Sequence, residues 1–387
     1  MGIKNLLKFI KTKYQDSCVT IPISDLEYTK IAIDTSIYMF KYKCMNACNI
    51  QSSSWNPDKW LWSFLYMIHF LRKNNIHPVF ILDGTSPIEK QNTRIARKQT
   101  QQRIIEKTHQ MEQEIETYNA KQNVAMGRSG EFNFDNQNLQ GVENDYLKKE
   151  WSKMSKRHNL GEFDIKEMEN IVASRHRYDI TVDAKDYEKL CILLEISNVP
   201  FIKAPGEAEA LCAYLAISNI VSGVMTLDSD ILVYWACSST LSESCKMIYN
   251  INFSDTTVTY CDIKILLEKM ELSSRSFVDM CIICGTDYNA NIPGIGPCTA
   301  LKLFKKSGNF RCFAPTGRIA SYVTQIENYE KIFSIFESFG NLDTNSEAVK
   351  RLKINIKFCG KPYFDLLKFY FEKLNITIPF DYMEKDF

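Results

Sequence analysis

Seven carboxylates stand where the chain changes direction: Asp34, Asp83, Glu207, Glu209, Asp228, Asp230 and Asp287. Asp34, Asp83 and Asp228 each follow a short β-rich run, Lys30–Ile33, Pro78–Leu82 and Val221–Leu227. Glu207 and Glu209 lie in Ala-Pro-Gly-Glu-Ala-Glu-Ala, Asp230 in Leu-Asp-Ser-Asp and Asp287 in Gly-Thr-Asp-Tyr. Taken singly, each acid reads as a helix cap or a solvated charge. Gathered at the ends of core strands they would repel one another and raise their pKa values, unless cations neutralise them. The donor set is all oxygen, and His69, His77, His109, His158 and His176 fall outside these motifs, which favours Mg²⁺ or Mn²⁺ over zinc. Two such ions about 4 Å apart act mainly on phosphates, where they promote in-line displacement. The chain has no GxxxxGK[ST] motif, so hydrolysis is expected rather than nucleotide-dependent transfer. Pro205 suits the first position of a helix, which would place Glu207 and Glu209 in its first turn. Residues two apart do not share a helix face, so the two glutamates are not expected to contact one ion together.

A phosphate substrate needs positive charge nearby. Lys90, Arg94, Arg97 and Lys98 are spaced to form one stripe if helical, beginning just after Asp83; the alternative is an ordinary solvated helix. The segment Ile292–Phe304 contains Gly294-Ile295-Gly296 ahead of a helical pattern. Glycines opening a helix can expose N–H groups to a phosphate at the positive end of its dipole.

The elements that must position these groups alternate. Continuous apolar runs read as parallel strands buried on both faces, and helical patterns at Pro57–Asn74, Asp183–Ser197 and Pro205–Ile217 separate them. The expected class is α/β, with a mostly parallel central sheet, helices on both faces, and ligands outside the carboxyl ends of the strands. Four regions are expected: residues 1–89 as the first part of a catalytic domain, 90–180 as an inserted arm, 181–310 as its second part, and 311–387 as helical packing. The arm, charged and rich in Asn, Gln and Gly across Gln122–Lys149, reads as part helical and part mobile. Helix-like pieces at Tyr322–Phe339 and Tyr363–Leu374 make up the last region.

At 387 residues with 45% hydrophobic residues, the chain can bury a large core. Its net charge of +1, from 47 basic and 46 acidic residues, means any nucleic-acid affinity must come from local charge. Thirteen cysteines lack secreted-domain spacing, and no signal peptide or long apolar span is found, so a nuclear or cytoplasmic location is expected. Cys281 and Cys284 form a CxxC inside a helical run with no second pair nearby, which points to core packing rather than zinc. Met1-Gly2 hints at myristoylation, but Leu6 replaces the required Ser or Thr.

Met1-Gly2-Ile3, Ala32-Ile33-Asp34, Pro78–Gly84, Ala204–Ala210, Leu227–Asp230 and Val278–Gly296 together resemble the flap endonuclease family of structure-specific 5′ nucleases, in that family's order. The resemblance covers the chain up to about Phe304, except the arm. It implies a helical arch or cap and a helix–two-turn–helix element on the α/β domain. It also implies Mg²⁺-dependent cleavage of DNA near single-strand/double-strand junctions, as endonuclease and 5′ exonuclease, in replication, repair or recombination. By the same resemblance the seven carboxylates fall on metal-site positions and Lys90 and Arg97 on arch residues that contact the scissile phosphate. Gly2 falls beside the active site, and Tyr38 or Phe40 on the aromatic that stacks on substrate. Gly294 and Gly296 fall on the turn that holds the duplex backbone, with K⁺ as a candidate occupant.

Three departures stand out. The family's basic pair after this turn is Cys298-Thr299 here, leaving Lys302, Lys305 and Lys306 to serve. The interval from Asp83 to Glu207 is longer than in typical members. Tyr382–Phe387 lacks the spacing of a clamp-binding peptide, so sliding-clamp recruitment is not expected. These features mark a divergent member and leave a viral source open. A non-catalytic protein binding branched nucleic acid, or an RNA-directed 5′ nuclease, are the competing readings.

Overall fold

The computed structural model describes residues 2–47, 55–128, 145–158, 161–307, 329–340 and 356–378. The chain divides into two compact units, the first comprising Met1–Tyr42, Asp58–Thr93 and Val182–Phe387, the second Lys43–Pro57 and Arg94–Thr181. The sequence-based boundaries therefore shift. The second unit begins at Arg94 rather than residue 90 and recruits an N-terminal segment. The expected regions 1–89, 181–310 and 311–387 fall mostly within one unit.

The first unit is built on a seven-stranded sheet of order β1-β7-β6-β5-β2-β3-β4. Its strands are β1 Cys18–Pro22, β2 Lys30–Asp34, β3 His77–Leu82, β4 Phe201–Lys203, β5 Val224–Met225, β6 Lys246–Asn252 and β7 Thr257–Asp262. The block β4-β3-β2-β5-β6 is parallel, while β7 and β1 add antiparallel pairings at one edge. Alternate strand residues feed opposite cores, as a period of two requires. Ala32, Val79, Ile81, Val224 and Met247 join one core, and Ile31, Ile33, Phe80, Met225 and Ile248 the other. The first core is covered by helices including α8 Ala208–Ile217, α9 Asp230–Cys237 and α11 Ser274–Cys284, and the second by α3 Trp60–Lys73 and α7 Ala184–Ile196. Helices thus cover both faces of the sheet.

Local chemistry sets several boundaries. Asp183 caps α7 in a reciprocal capping box with Asp186. Ser273 caps α11, whose Cys281 and Cys284 are fully buried among apolar neighbours, consistent with packing. The expected start of α8 at Pro205 is corrected. The helix begins at Ala208, with Glu207 at the N-cap in an extended conformation. The cause is a backbone clasp, in which Gly84 N–H donates to the Gly206 carbonyl at 2.8 Å and holds Pro205-Gly206 out of the helix.

In the second unit, helices α4 Gln91–Arg128, α5 Asp145–His158 and α6 Ile165–Arg175 bury Met111, Ile115, Leu147, Trp151, Met154, Met168 and Val172. Buried Glu150 is held by Lys107 and Lys153, as a carboxylate removed from water must be. The stretch 129–144 of the Asn/Gln-rich segment lies outside the described residues. So do the first part of the expected Tyr322–Phe339 helix and the segment Tyr382–Phe387. Helices Tyr329–Gly340 and Phe364–Lys373 close the first unit.

Candidate metal centre

Strand ends deliver the first acids. Asp34 is the last residue of β2, and Asp83 directly follows β3. The third expected strand is shorter than its apolar run: β5 stops at Met225, so Asp228 sits on the turn that leads into α9. That turn is organised by Thr226, whose hydroxyl donates to Asp34 Oδ2 at 2.8 Å and accepts the Asp228 N–H at 3.0 Å. Asp230 N–H in turn donates to Asp228 Oδ1 at 3.1 Å. Asp83 is oriented from across the sheet edge, accepting the Ala208 N–H at 2.9 Å.

Glu209, Asp228 and Asp230 each offer a carboxylate oxygen to a common point, the three atoms lying within 4.8 Å of one another. Asp228 and Asp230 are both 2% exposed. Two buried oxygens of the set, Glu209 Oε2 and Asp230 Oδ1, have no hydrogen-bond partner in the protein. Native proteins rarely leave buried acceptors unsatisfied, and three oxygens converging this closely suit a hard divalent cation.

The electrostatics agree. Burial, then repulsion from Asp83, pushes Asp34 up to about 8. Burial, then Asp228, raises Glu209 and Asp230 well above the usual carboxylate range. Asp228 is raised by burial, opposed by the Asp230 N–H and the amino terminus. Without added positive charge, the cluster holds protons that isolated carboxylates would release at neutral pH.

One cation is already present. Lys90 Nζ lies 2.6 Å from Glu207 Oε1 and 3.0 Å from Asp287 Oδ2, with its side chain only 13% exposed. Burial opposes its charge, but Glu209, Glu207 and Asp287 outweigh that penalty and raise its pKa. Glu207 and Glu209 are thereby separated, one paired with lysine and the other in the oxygen cluster. Lys90 belongs to a 3-10 turn, Ile88–Lys90, ahead of α4. The residues Arg94, Arg97 and Lys98 lie exposed on α4 in the second unit.

Sequence reasoning missed Thr226, Tyr234 and Tyr288. Tyr288 donates to Glu207 Oε2 at 2.6 Å, and its hydroxyl lies 3.1 Å from that of Tyr234. Adjacency was the available signal, since Tyr288 follows Asp287 and Thr226 precedes the Leu-Asp-Ser-Asp motif. A buried tyrosine hydroxyl usually finds a polar partner.

Residues 1–104 match the family described as XPG N-terminal domain, and residues 198–287 that described as XPG I-region. A probable RAD2-like endonuclease of Invertebrate iridescent virus 6 is 39% identical, over 100% of this chain and 92% of the relative. The chain belongs to the RAD2-like, XPG-type nuclease family. A second probable RAD2-like endonuclease, from Invertebrate iridescent virus 3, is 30% identical over 89% of the chain and 88% of the relative. Flap endonuclease 1 of Enterocytozoon bieneusi is 25% identical, over 100% and 91%. The nuclease fold is shared with the catalytic core of Rad2 in complex with DNA substrate, at a TM-score of 0.58 and 16% identity, covering 100% of this chain and 98% of that one.

The remaining candidate residues of this XPG-type nuclease are placed unevenly. Gly2 adopts φ +72° against the carboxylate cluster, and a Cβ there would stand 1.9 Å from Asp228 Oδ1. Only glycine fits that approach. Tyr38 is corrected as a stacking residue: it is 4% exposed and packs against Tyr42 in the core. Phe40, 41% exposed, remains. Gly294 has φ +81°, and neither it nor Gly296 has any atom within 4 Å of an added Cβ, so the turn before helix Pro297–Ser307 is open. Lys302 is exposed on that helix, whereas Lys305 is paired with Glu271 at 2.6 Å.

The raised carboxylates set a pH dependence. Asp34 moves from an ordinary 3.8 to about 8, so the folded state keeps a proton that the unfolded chain loses. That contribution is fully present below about pH 4 and declines as pH rises towards 8. A divalent cation favours the ionised forms and reverses the decline. In thermal scans, saturating Mg²⁺ is expected to raise Tm by roughly 5–10 °C at pH 8 and by clearly less at pH 6. An equal shift at both values would contradict the assignment.

Proposed function

We infer that this nuclease is a Mg²⁺-dependent, structure-specific 5′ nuclease that hydrolyses DNA phosphodiester bonds near single-strand/double-strand junctions, with Mn²⁺ able to substitute. The observation that carries the reading is the convergence of Glu209, Asp228 and Asp230, with two buried oxygens lacking protein partners. Asp34 and Asp83 extend this set, and Asp287 and Glu207 border it. Bound there, a pair of divalent ions would supply acidification of water and neutralisation of charge during in-line displacement at phosphorus.

The chain's own residues do the rest. Thr226 and the Ala208 N–H fix the orientation of Asp34 and Asp83. Lys90, held by Glu207 and Asp287, keeps an ammonium group at the border of the cluster, where a scissile phosphate would meet it. Arg97, Arg94 and Lys98 add cations for the substrate backbone. The open Gly294–Gly296 turn and Lys302 would hold duplex phosphates, with K⁺ a further candidate at the turn, and exposed Phe40 offers a stacking face.

Matched DNA and RNA flaps, incubated with full-length protein and Mg²⁺, test the reading. Cleavage of the DNA flap near its junction is expected, and loss of that cleavage in Asp228→Ala. Binding without turnover in Mg²⁺ and Mn²⁺ would leave a non-catalytic binding protein, and faster cleavage of the RNA flap would move the substrate class to RNA.

A further inference from the structure

A pair of cysteines far from the carboxylates in sequence is unused by the chemistry above. Strands β1 and β7 run antiparallel in a register that sets Cys18 directly opposite Cys261. Opposed residues in such a pair have Cα atoms about 4.5–5.5 Å apart and side chains on the same face. A disulfide requires a Cα separation of about 4.4–6.8 Å, so the backbone meets that need without moving. Each thiol shifts the titration of the other.

The two sulfurs differ in a way that suits a two-step oxidation. Cys18 is half-buried on β1, an edge strand of the sheet, while Cys261 is fully buried. The neighbouring Cys261 thiol, outweighing burial and helped by Tyr249, Ser17 and Lys11, lowers Cys18 to about 6. Cys18 and burial push Cys261 up. A more exposed thiolate beside a buried protonated thiol is the arrangement of an attacking and a resolving cysteine.

We propose that Cys18 and Cys261 form a reversible disulfide that staples β1 to β7, with a hydroperoxide as the oxidant. The Cys18 thiolate attacks one peroxide oxygen, the O–O bond breaks, and the departing oxygen takes a proton, leaving Cys18 as a sulfenic acid. Cys261 then gives up its proton, and its sulfur attacks that of Cys18. The S–O bond breaks, and the oxygen leaves as water with that proton. Two electrons pass from the thiols to the peroxide. The bond would anchor the segment whose other end places Gly2 against Asp228, since only a short turn, Gln15–Ser17, separates α1 Leu6–Lys13 from β1. The proposal does not depend on the nuclease reading.

The test uses the full chain. Reduced protein is treated briefly with hydrogen peroxide, the remaining thiols are alkylated, and peptides are mapped without reductant. A linked Cys18–Cys261 peptide is expected, together with a Tm rise of several degrees that dithiothreitol reverses. Both effects are expected to vanish in Cys18→Ser and persist in Cys298→Ser, which alters an exposed thiol. In the reduced wild-type protein, Cys18 is expected to alkylate about tenfold faster than Cys261 at pH 7. Mapping that places Cys18 as sulfinic acid or bonded to another cysteine would overturn the proposal, as would a Tm rise that survives Cys18→Ser.

Discussion

Asp230→Asn is expected to lower Mg²⁺-dependent cleavage by about 10³-fold while making the metal-free protein more stable at pH 8. Asp230 is buried, one of its oxygens lacks a partner, and its pKa is raised by burial and by Asp228 and Asp287. Replacing the carboxylate with its neutral isostere removes like-charge repulsion. It also deletes an oxygen donor from the set that would hold the ion. Single-turnover cleavage of a DNA flap and thermal scans in EDTA measure the two effects separately. Opposite signs separate a charge cluster built for a cation from an acid that supports the fold. A variant keeping more than a tenth of wild-type activity, or melting lower in EDTA at pH 8, would contradict the assignment.

Lys90→Ala is expected to damage both properties, with only one of them recoverable. The ammonium is almost enclosed between Glu207 and Asp287, and removing one member of a buried ion pair costs about 3–5 kcal/mol. The metal-free Tm is expected to fall by roughly 10 °C. Saturating Mg²⁺ restores positive charge to the cluster and should return most of that loss. Cleavage should stay at least about 10²-fold below wild type with Mg²⁺ present, because the phosphate has lost its ammonium partner. Full rescue of the rate by Mg²⁺ would make Lys90 a structural counter-ion and nothing more.

Much of this arrangement is legible in the sequence. Lys30–Asp34 and Pro78–Asp83 each couple a dense apolar run to an acid, and both proved to be parallel central strands with the acid at or just past the carboxyl end. The third run was over-read, because apolarity continues through Leu227 while hydrogen bonding stops at Met225. β4 is only three residues long, and β1 and β7 lie at a sheet edge where burial is partial, so their alternation is weak. The start of α8 was misplaced because proline at a first helical position is a local preference. The clasp that overrides it joins Gly84 to Gly206, residues distant in sequence. The ion pairs of Lys90 are unreadable for the same reason: spacing marks that residue as the start of a basic stripe, but its partners Glu207 and Asp287 are distant in sequence. The choice between Tyr38 and Phe40 turned on which side of α2, Thr35–Ala47, meets the core.

The clasp also bears on how such a chain can change over time. Gly84 N–H reaches the Gly206 carbonyl, Ala204 N–H reaches the Leu82 carbonyl at 2.8 Å, and a Cβ on Gly84 would strike the Ala204 carbonyl oxygen at 1.9 Å. Asp83 and the pair Glu207 and Glu209 are therefore tied by backbone, whatever the chain does between them. Closing a longer flexible loop adds only about 0.6 kcal/mol for each doubling of its length. The stretch Arg94–Thr181, which belongs to the second unit, can therefore change length without disturbing the spacing of the acids, while α7 and β4 stay in the sheet and its core. Variation in that stretch is then decoupled from the register of the acids.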